Sequence, residues 1–401
     1  MKIDFKALSE KYQTPYYIYD FDEITKKYKE LKDAFKARKS LIAYAVKANS
    51  NLSVLKHLKD QGAGADCVSI GELKRALKVG IEPYKIIFSG VGKSDKELED
   101  ALSFNILMIN VESEAELKRL EILSKKQNKI ARISIRVNPN IDAKTHPYIS
   151  TGLNENKFGM DVDLAKRMYI YANNSPFLEP IGIHCHIGSQ LTELSPIKEA
   201  VEIVASLVKS LKSLKIDIKF FDVGGGLGVK YKDEVLIKIY DYAQAILKSL
   251  FSLDLTLICE PGRFLVANCG YFVTSVLYEK KTSGKRFVIV DGAMNDLIRP
   301  SLYNAYHKIE VLNKNEDISK CNVVGPICES GDFFAKDIDL AQTKPKDLLV
   351  IYSAGAYGFS MASNYNTRTK VAELGFSKDG ARLIRRRESF EDLISHEEEF
   401  L

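Results

Sequence analysis

The sequence has no tryptophan, no Cys-x-x-Cys pair, little net charge and no apolar run suited to a membrane span. Its six cysteines stand at unrelated spacings, a pattern typical of reduced thiols rather than of disulfide bridges or a zinc knuckle. A net charge of +5 leaves no strong field to hold nucleic acid or a membrane surface. Residues 1–13 are charged throughout and contain no apolar core of a secretion signal. We therefore expect a cytoplasmic, soluble protein that binds neither nucleic acid nor membranes.

What the sequence does contain is a repeated alternation of short apolar runs and amphipathic helical patterns. Apolar and charged residues make up 45% and 28% of the chain, which predicts a folded protein with a large core. Nearly continuous apolar strands that alternate with helices indicate a parallel sheet covered on both faces. The eight runs are LIAYAV (41–46), GADCVS (64–69), KIIFS (85–89), ILMIN (106–110), ARISIRV (131–137), IGIHCHI (181–187), IKFFDV (218–223) and LTLIC (255–259).

Serines placed to begin helices follow three of these runs. Ser69, Ser94 and Ser113 each precede a glutamate by three residues, the pattern of a capping box. Eight strand–helix units predict a closed (β/α)8 barrel, to which we assign residues 36–266. An open doubly wound sheet is the alternative, disfavoured by the number of strands and by the lack of a Gly-x-Gly-x-x-Gly motif after the first strand.

The pattern changes after the eighth run. GYFVTSVLYEKK and KRFVIVDG flank Thr282-Ser283-Gly284 as the strands of a hairpin do, and KDLLVIYSAGAYG indicates a further strand. We assign residues 267–401, together with residues 1–35, to a second, β-rich domain. PYYIYD (15–20) is the strand through which the N-terminal segment can join this domain.

Polar residues follow four of the barrel strands at the ends where barrel enzymes carry their chemistry. They are Lys47, the pair His184 and His186, the glycines 224–226, and the segment 260–263 of sequence EPGR. Taken alone, the three glycines are better explained by a tight strand-to-helix turn. With a helix N-terminus behind them, and with EPGR and its Arg263 at the adjacent strand end, they favour a phosphate site.

Three functional groups at these strand ends match the needs of one cofactor. Lys47 by itself has the ordinary interpretation of a solvated strand end, but a lysine desolvated at a barrel mouth can form a Schiff base. An amine, a phosphate cradle and a buried carboxylate, Glu260, suit the aldehyde, the phosphate and the pyridine nitrogen of pyridoxal phosphate.

The His184-x-His186 pair has a rival interpretation as a metal site, because alternate residues of a strand share one face. Such a site needs further ligands, and the remaining histidines follow none of the barrel strands. We therefore expect no metal, with one histidine on a flat cofactor ring and the other packed or hydrogen-bonded. The remaining histidines are His57, His146, His307 and His396.

Nine motifs, in order and spread over about residues 10–375, carry a family resemblance. They are YAVKAN (44–49), GADCVSIGEL (64–73), HPYISTGLNENKFG (146–159), HCHIGSQ (184–190), DVGGGLG (222–228), EPGR (260–263), DGAMNDLIRPSLY (291–303), CESGD (328–332) and SAGAYG (353–358). In these motifs the chain resembles the fold-type III pyridoxal-phosphate-dependent decarboxylases, above all those that act on diaminopimelate. The resemblance implies a lyase that converts meso-2,6-diaminopimelate to L-lysine and CO2, the final step of lysine biosynthesis.

The resemblance also implies a role for each site residue. Lys47 binds the cofactor as a Schiff base, His186 stacks on its ring, Glu260 pairs with its pyridine nitrogen, and Cys328 donates the proton to the product. Further cofactor-binding residues that it implies are Ser189, Gly224, Gly225, Gly226, Pro261, Gly262, Arg263 and Tyr357. Substrate-binding residues that it implies are Arg263, Arg299 and Tyr303 for a carboxylate, Glu329 for the distal ammonium, and Tyr357. In the family CESGD crosses from the partner, which implies a homodimer with a shared active site.

Charge at the site separates the alternatives. Glu260 at the pyridine nitrogen favours decarboxylation, because a carboxylate there keeps the ring protonated, whereas racemases of similar fold present arginine. Arg299 with Tyr303 suits a distal carboxylate and Glu329 a distal ammonium, and diaminopimelate carries both. A decarboxylase of ornithine, arginine or carboxynorspermidine, and a non-catalytic pyridoxal-phosphate-binding protein, stay open as alternatives. Taken alone, Arg299 has the interpretation of a surface or phosphate-site arginine, and Cys328 that of a small buried residue.

Overall fold

A computed structural model describes residues 3–143, 151–152, 157–313 and 316–401. By its internal contacts the chain divides into a barrel unit, Thr25–Val229 with Val235–Phe264, and a β-rich unit, Met1–Ile24 with Lys230–Glu234 and Leu265–Leu401. The domain limits given from the sequence stay a prediction. Among the described residues, none of the helices is both long and apolar enough to cross a membrane.

Strands and helices alternate through the barrel unit, and strands dominate the other. The strands are β1 Tyr16–Asp20, β2 Ser40–Ala45, β3 Gly64–Cys67, β4 Ile86–Phe88, β5 Met108–Val111, β6 Ala131–Arg136, β7 Leu178–His184, β8 Phe220–Asp222, β9 Thr256–Cys259, β10 Gly270–Thr282, β11 Lys285–Val290, β12 Ile309–Val311, β13 Ile318–Val324, β14 Phe333–Ala341, β15 Leu348–Ile351, β16 Ala372–Ser377 and β17 Gly380–Arg385. The helices are α1 Phe5–Tyr12, α2 Phe21–Ala34, α3 Leu52–Asp60, α4 Ile70–Lys78, α5 Asp95–Phe104, α6 Glu114–Lys126, α7 Val162–Asn173, α8 Leu194–Ser213, α9 Ile239–Ser249, α10 Arg263–Val266, α11 Arg299–Tyr303 and α12 Phe390–Ile394.

Strands β2 to β9 form a closed parallel barrel in chain order. The last strand returns to the first, with Leu41 of β2 opposite Ile258 of β9. Each of the eight predicted runs contains or overlaps one of these strands, so the predicted barrel is confirmed and the open-sheet alternative is wrong. The strands are apolar on both faces because their side chains alternate between the barrel interior and the surrounding helices. Ala43, Ile87, Met108 and Ile258 share one buried cluster.

The three predicted N-cap serines all cap helices, but only one forms a complete capping box. The hydroxyl of Ser94 accepts the amide of Glu97 while the Glu97 side chain accepts the amide of Ser94. Ser69 and Ser113 likewise accept a hydrogen bond from the amide three residues further on. Their glutamates, Glu72 and Glu116, accept instead from the backbone amide of the residue that precedes the serine. These two glutamates thereby fix the loops that leave strands β3 and β5, next to the ends where the site lies.

The β-rich unit contains a nine-stranded sheet. Strand β1 joins it, pairing antiparallel with β10 and parallel with β16. The predicted hairpin is confirmed, since β10 and β11 pair antiparallel around Ser283 and Gly284, the latter at φ +98°. Tyr16 and Ile18 of β1 pack in the core of this sheet with residues of β10, β15 and β16.

Candidate active site

The C-terminal ends of the barrel strands surround a cavity of about 420 Å³. Lys47 reaches it from a short turn of helix directly after β2, Asp66 from the end of β3, and Glu260 from the residue after β9. His184 and His186, at and after the end of β7, line the same cavity. Because the strands of a barrel are parallel, residues far apart in sequence meet at this one end.

Lys47 is paired with an acid that the sequence analysis did not single out. Its Nζ lies 3.1 Å from Oδ2 of Asp66, whose side chain is 1% exposed while that of Lys47 is 40% exposed. Burial and the nearby Glu260 raise the pKa of Asp66, whereas Lys47 acts to lower it. Asp66 is the last residue but one of the fully buried strand β3, and a charged residue in such a run was the available signal.

Glu260 and Asp222 are buried neighbouring carboxyl groups with opposite pKa shifts. Burial, followed by the charge of Glu260, raises the pKa of Asp222 well above its ordinary value. Burial acts in the same direction on Glu260, but the neighbouring His184, Lys47 and Asp222 together outweigh it and lower the pKa of Glu260 to about 2. Two adjacent carboxyls at low dielectric cannot both ionise, so Glu260 carries the charge and Asp222 keeps its proton.

Within the part of the chain that the structure describes, the residue group whose geometry suits a metal contains His184 but not His186. The ligand atoms of His184, Asp222 and Glu260 lie within 4.8 Å of one another. His184 Nε2 is 3.2 Å from Glu260 Oε2. His186 belongs to a different contact, because its Nδ1 accepts the amide of Gly225 at 3.3 Å. We interpret the three residues as a network around one proton on Asp222.

The three consecutive glycines allow backbone to approach backbone. Gly224 and Gly226 have φ of +67° and +102°, the left-handed region that side chains rarely adopt. A Cβ on Gly226 would stand 2.5 Å from the carbonyl oxygen of Gly188, and one on Gly225 would overlap that of Glu260. The expectation that a helix begins directly after these glycines is wrong, because the next helix, α9, begins only at Ile239.

Ser189 and Arg263 come together from the loop after β7 and the loop after β9. Arg263 donates from Nε and Nη2 to the hydroxyl of Ser189, at 3.3 and 3.2 Å, although it is only 7% exposed. Gly262 lies against Ala45 and Ala48, where its lack of a side chain allows the EPG turn to approach the segment that carries Lys47. A buried guanidinium, a hydroxyl and glycine amides are the groups that bind phosphate.

His186 is held by a second buried ion pair. Arg136 donates from Nη2 to the carbonyl of His186 at 3.3 Å and from Nη1 to Glu112 at 2.8 Å. Burial, followed by the charges of Arg136 and Lys47, lowers the pKa of His186 well below its ordinary value. A neutral imidazole can lie flat against an aromatic ring without adding positive charge to the site. Arg136 and Glu112 were missed by the sequence analysis, although Arg136 is a charged residue near the end of the apolar run ARISIRV.

The remaining predicted residues belong to the β-rich unit. Arg299 and Tyr303 begin and end α11, and Arg299 is 6% exposed. Cys328 and Glu329 lie in the exposed loop between β13 and β14, where Glu329 accepts a 2.8 Å hydrogen bond from Tyr365. Tyr357 is half-buried with φ +56°. Of the motif at 146–159, residues 146–150 and 153–156 lie outside the described residues.

The barrel residues fit pyridoxal phosphate. Lys47 offers the amine for the aldehyde, and the buried Glu260 Oε1 makes no hydrogen bond within the described chain, as expected of an acceptor reserved for a ring N–H. The glycine turn and the Ser189–Arg263 pair offer donors for the phosphate. An eight-stranded barrel with these groups at its strand ends defines a pyridoxal-phosphate enzyme.

The comparisons with known proteins agree with this class. Residues 21–267 match the pyridoxal-dependent decarboxylase, pyridoxal binding domain. Diaminopimelate decarboxylase of Campylobacter jejuni is 63% identical over all of both chains. The crystal structure of diaminopimelate decarboxylase from Helicobacter pylori complexed with L-lysine superposes with a TM-score of 0.97 at 58% identity, covering 99% of this chain and 100% of that one. The chain belongs to the diaminopimelate decarboxylases.

The fold alone does not select the substrate. A lysine/ornithine decarboxylase from Vibrio vulnificus shares the fold with a TM-score of 0.81 at 21% identity, covering 92% of this chain and 96% of that one. Substrate choice therefore depends on individual side chains rather than on the barrel and sheet.

Proposed function

We propose that this chain decarboxylates meso-2,6-diaminopimelate to L-lysine and CO2 with pyridoxal phosphate as cofactor. The observation that carries the proposal is the buried Glu260, whose lowered pKa keeps it ionised in the cavity that also contains Lys47. When bound, the cofactor supplies an electron sink for the pair left by the departing carboxylate, and a protonated ring nitrogen makes it a stronger sink. A fixed carboxylate beside that nitrogen favours the proton by charge pairing.

In the barrel unit, Lys47 holds the cofactor covalently and Asp66 fixes the position of its amine. His186 in its neutral form would bind the ring of the cofactor, and Arg136 holds the backbone of His186 in place. Ser189 and Arg263 bind the phosphate together with the amides of the glycine turn. His184 and the protonated Asp222 would hold Glu260 in place for the ring nitrogen, because the side-chain N and O atoms of the three residues lie within 4.8 Å of one another.

Residues of the β-rich unit supply the substrate contacts in this proposal. Arg299, with Tyr303, binds the distal carboxylate, since a guanidinium offers two parallel N–H donors to a carboxylate. Glu329 pairs with the distal ammonium, and Cys328 Sγ delivers the proton that replaces the lost carboxylate. Tyr357 contributes its hydroxyl to phosphate and substrate.

The enzyme acts as a homodimer with a shared active site. Cys328 and Glu329 stand exposed on a loop of the single chain, as residues that serve a partner subunit's site have to be. All six cysteines are free thiols, the state that the cytoplasm maintains, and we propose that compartment.

The proposal is tested with purified protein and pyridoxal phosphate. Borohydride should fix the cofactor to the chain and bleach its absorbance, and the holoenzyme should release CO2 and L-lysine in equal amounts from meso-diaminopimelate. Covalent cofactor with faster turnover of ornithine, arginine or carboxynorspermidine would support the related decarboxylases instead. Covalent cofactor without any turnover would support a non-catalytic binding protein.

A further inference from the structure

Arg299 is held in the β-rich unit by a histidine that follows none of the barrel strands. Its Nη1 lies 2.9 Å from Nε2 of His307, and Nδ1 of His307 lies 2.8 Å from the backbone carbonyl oxygen of Tyr352. Both side chains are buried, at 6% and 2% exposure.

The contacts of its two ring nitrogens determine the protonation state of His307. A carbonyl oxygen only accepts, so Nδ1 carries the hydrogen. A guanidinium only donates, so Nε2 carries none and accepts from Arg299. A doubly protonated ring would turn an N–H toward the guanidinium and place two cations side by side. His307 is therefore a neutral acceptor aimed at Arg299.

Tyr231 restricts the guanidinium on a second side. The Cζ atom of Arg299 lies 4.7 Å from the centroid of the Tyr231 ring, a cation–π distance. The same ring meets His307 edge-on, with centroids 5.6 Å apart and planes at 80°. The three side chains form one packed group, in which the plane of the guanidinium is set by the ring of Tyr231 and by the lone pair of His307.

The local backbone explains how residues eight positions apart meet. Helix α11 ends at Tyr303, and Asn304 adopts left-handed backbone at φ +50°, which reverses the chain. His307 then precedes β12, which pairs with β15, and Tyr352 follows β15 directly. The carbonyl that orients His307 is thus fixed by the sheet.

We propose that His307 is a positioning residue that sets the enzyme's preference for substrates with a distal carboxylate, acting through Arg299. The inference rests on the proposed function, in which Arg299 binds that carboxylate. A bidentate arginine–carboxylate contact requires both groups in one plane, and a long side chain without supports samples many rotamers. His307, together with Tyr231, restricts the rotamers of Arg299 before the substrate arrives.

The test uses two inhibitors of the holoenzyme that differ by one carboxylate. L-lysine carries the distal carboxylate of the proposed product, and cadaverine is the same diamine without it. The ratio of their inhibition constants therefore reports the carboxylate contact alone. His307→Leu removes the acceptor, and His307→Asn is a second variant whose shorter side chain cannot reach Arg299. His307→Gln is the matched control, because its side-chain oxygen can stand near the position of Nε2.

Wild type should bind L-lysine much more tightly than cadaverine. In His307→Leu and His307→Asn the ratio should fall about tenfold, the effect of losing one hydrogen bond to a charged group, with cadaverine binding unchanged. In the same two variants KM for diaminopimelate should rise by a similar factor while kcat stays nearly constant. His307→Gln should retain most of the wild-type ratio of inhibition constants. Adding His307→Leu to Arg299→Ala should cause no further loss.

The outcomes separate the two claims. Suppose that Arg299→Ala abolishes the preference for L-lysine over cadaverine, but that every His307 variant that folds, Leu or Asn, retains it. The inference about His307 is then overturned, and the proposed function stands. If wild type shows no preference for L-lysine, or Arg299→Ala retains one, the proposed role of Arg299 fails and the inference fails with it. A loss of cadaverine binding equal to that of L-lysine shows general damage to the site and also overturns the positioning role.

Discussion

Nζ of Lys47 lies 3.1 Å from Oδ2 of Asp66, so the lysine that reaches the barrel cavity stands beside a buried acid. Asp66 in turn is close to Ser89, whose hydroxyl accepts a hydrogen bond from Asn110 at 3.0 Å. Residues from the ends of β3, β4 and β5 thus support the one amine that follows β2. A lysine held in this way has its reach into the cavity fixed before any cofactor binds.

Lys47→Ala should bind pyridoxal phosphate only noncovalently and lose nearly all turnover, because the amine that holds the aldehyde is gone. Borohydride reduction of the wild-type holoenzyme, followed by digestion and mass spectrometry, should place the pyridoxyl group on the peptide containing Lys47. Lys93 lines the same cavity and is the internal control. Label on the Lys93 peptide instead would end the assignment.

Glu260→Gln should retain the cofactor and lower kcat by about 10²-fold or more, because a preorganised charge beside the ring nitrogen is removed. Asp222→Asn is the matched control: it changes a neighbouring carboxyl that keeps its proton, so an amide in its place should leave most of the turnover. The measurement is kcat of both variants with saturating cofactor. Equal losses in the two variants would show that charge on Glu260 is not what matters.

Asp222→Asn should also change how stability depends on pH. Burial raises the pKa of Asp222, so the folded chain keeps a proton that the unfolded chain releases above about pH 4. The contribution of Asp222 to the free energy of unfolding of the wild type therefore falls by about 1.4 kcal/mol per pH unit as the pH rises toward the folded-state pKa. Asp222→Asn has no such group and does not show this fall.

Urea unfolding of both apo proteins between pH 4 and 7 measures this difference. As the pH rises, the free energy of unfolding of Asp222→Asn should increase relative to that of wild type. Asp233→Asn, at a side chain that is 86% exposed, is the control and should run parallel to wild type. A constant gap for Asp222→Asn would mean that Asp222 ionises normally in the folded chain.

Mixing inactive Lys47→Ala and Cys328→Ala chains should restore activity if each site takes these residues from different subunits. One of the two sites in a mixed dimer then has both residues intact, so activity should approach half of the wild-type value per mixed dimer. Subunit exchange is followed independently with differently tagged chains. Proven exchange without recovered activity contradicts the shared site.

Arg299→Ala should lower kcat/KM for meso-diaminopimelate by at least about 10²-fold, because a buried carboxylate without its partner costs roughly 3–5 kcal/mol. Ornithine, which has no distal carboxylate, should be affected far less. The two substrates are compared side by side in wild type and variant. A preference of wild type for ornithine, or an equal fall for both substrates, would favour one of the related decarboxylases.

The sequence by itself determined the barrel. Its eight apolar runs are long enough for one buried strand each and alternate with amphipathic helices, and both properties are local in the chain. The strand-end residues Lys47, His186 and Glu260 could be named for the same reason, since the end of a strand is visible in the run that precedes it. The hairpin at Ser283 and Gly284 follows from turn chemistry that is equally local.

Only the tertiary structure decided which of these residues act together. Asp66 beside Lys47, Asp222 beside Glu260, and His307 behind Arg299 are contacts made when separate elements pack, and no spacing in the sequence encodes them. The same holds for the protonation states: burial raises the pKa of Asp222 and His184 with Lys47 lowers that of Glu260, so two similar carboxyls become an acid and a base. A side chain's charge depends on what surrounds it in space, and the chain acquires those surroundings only when it folds.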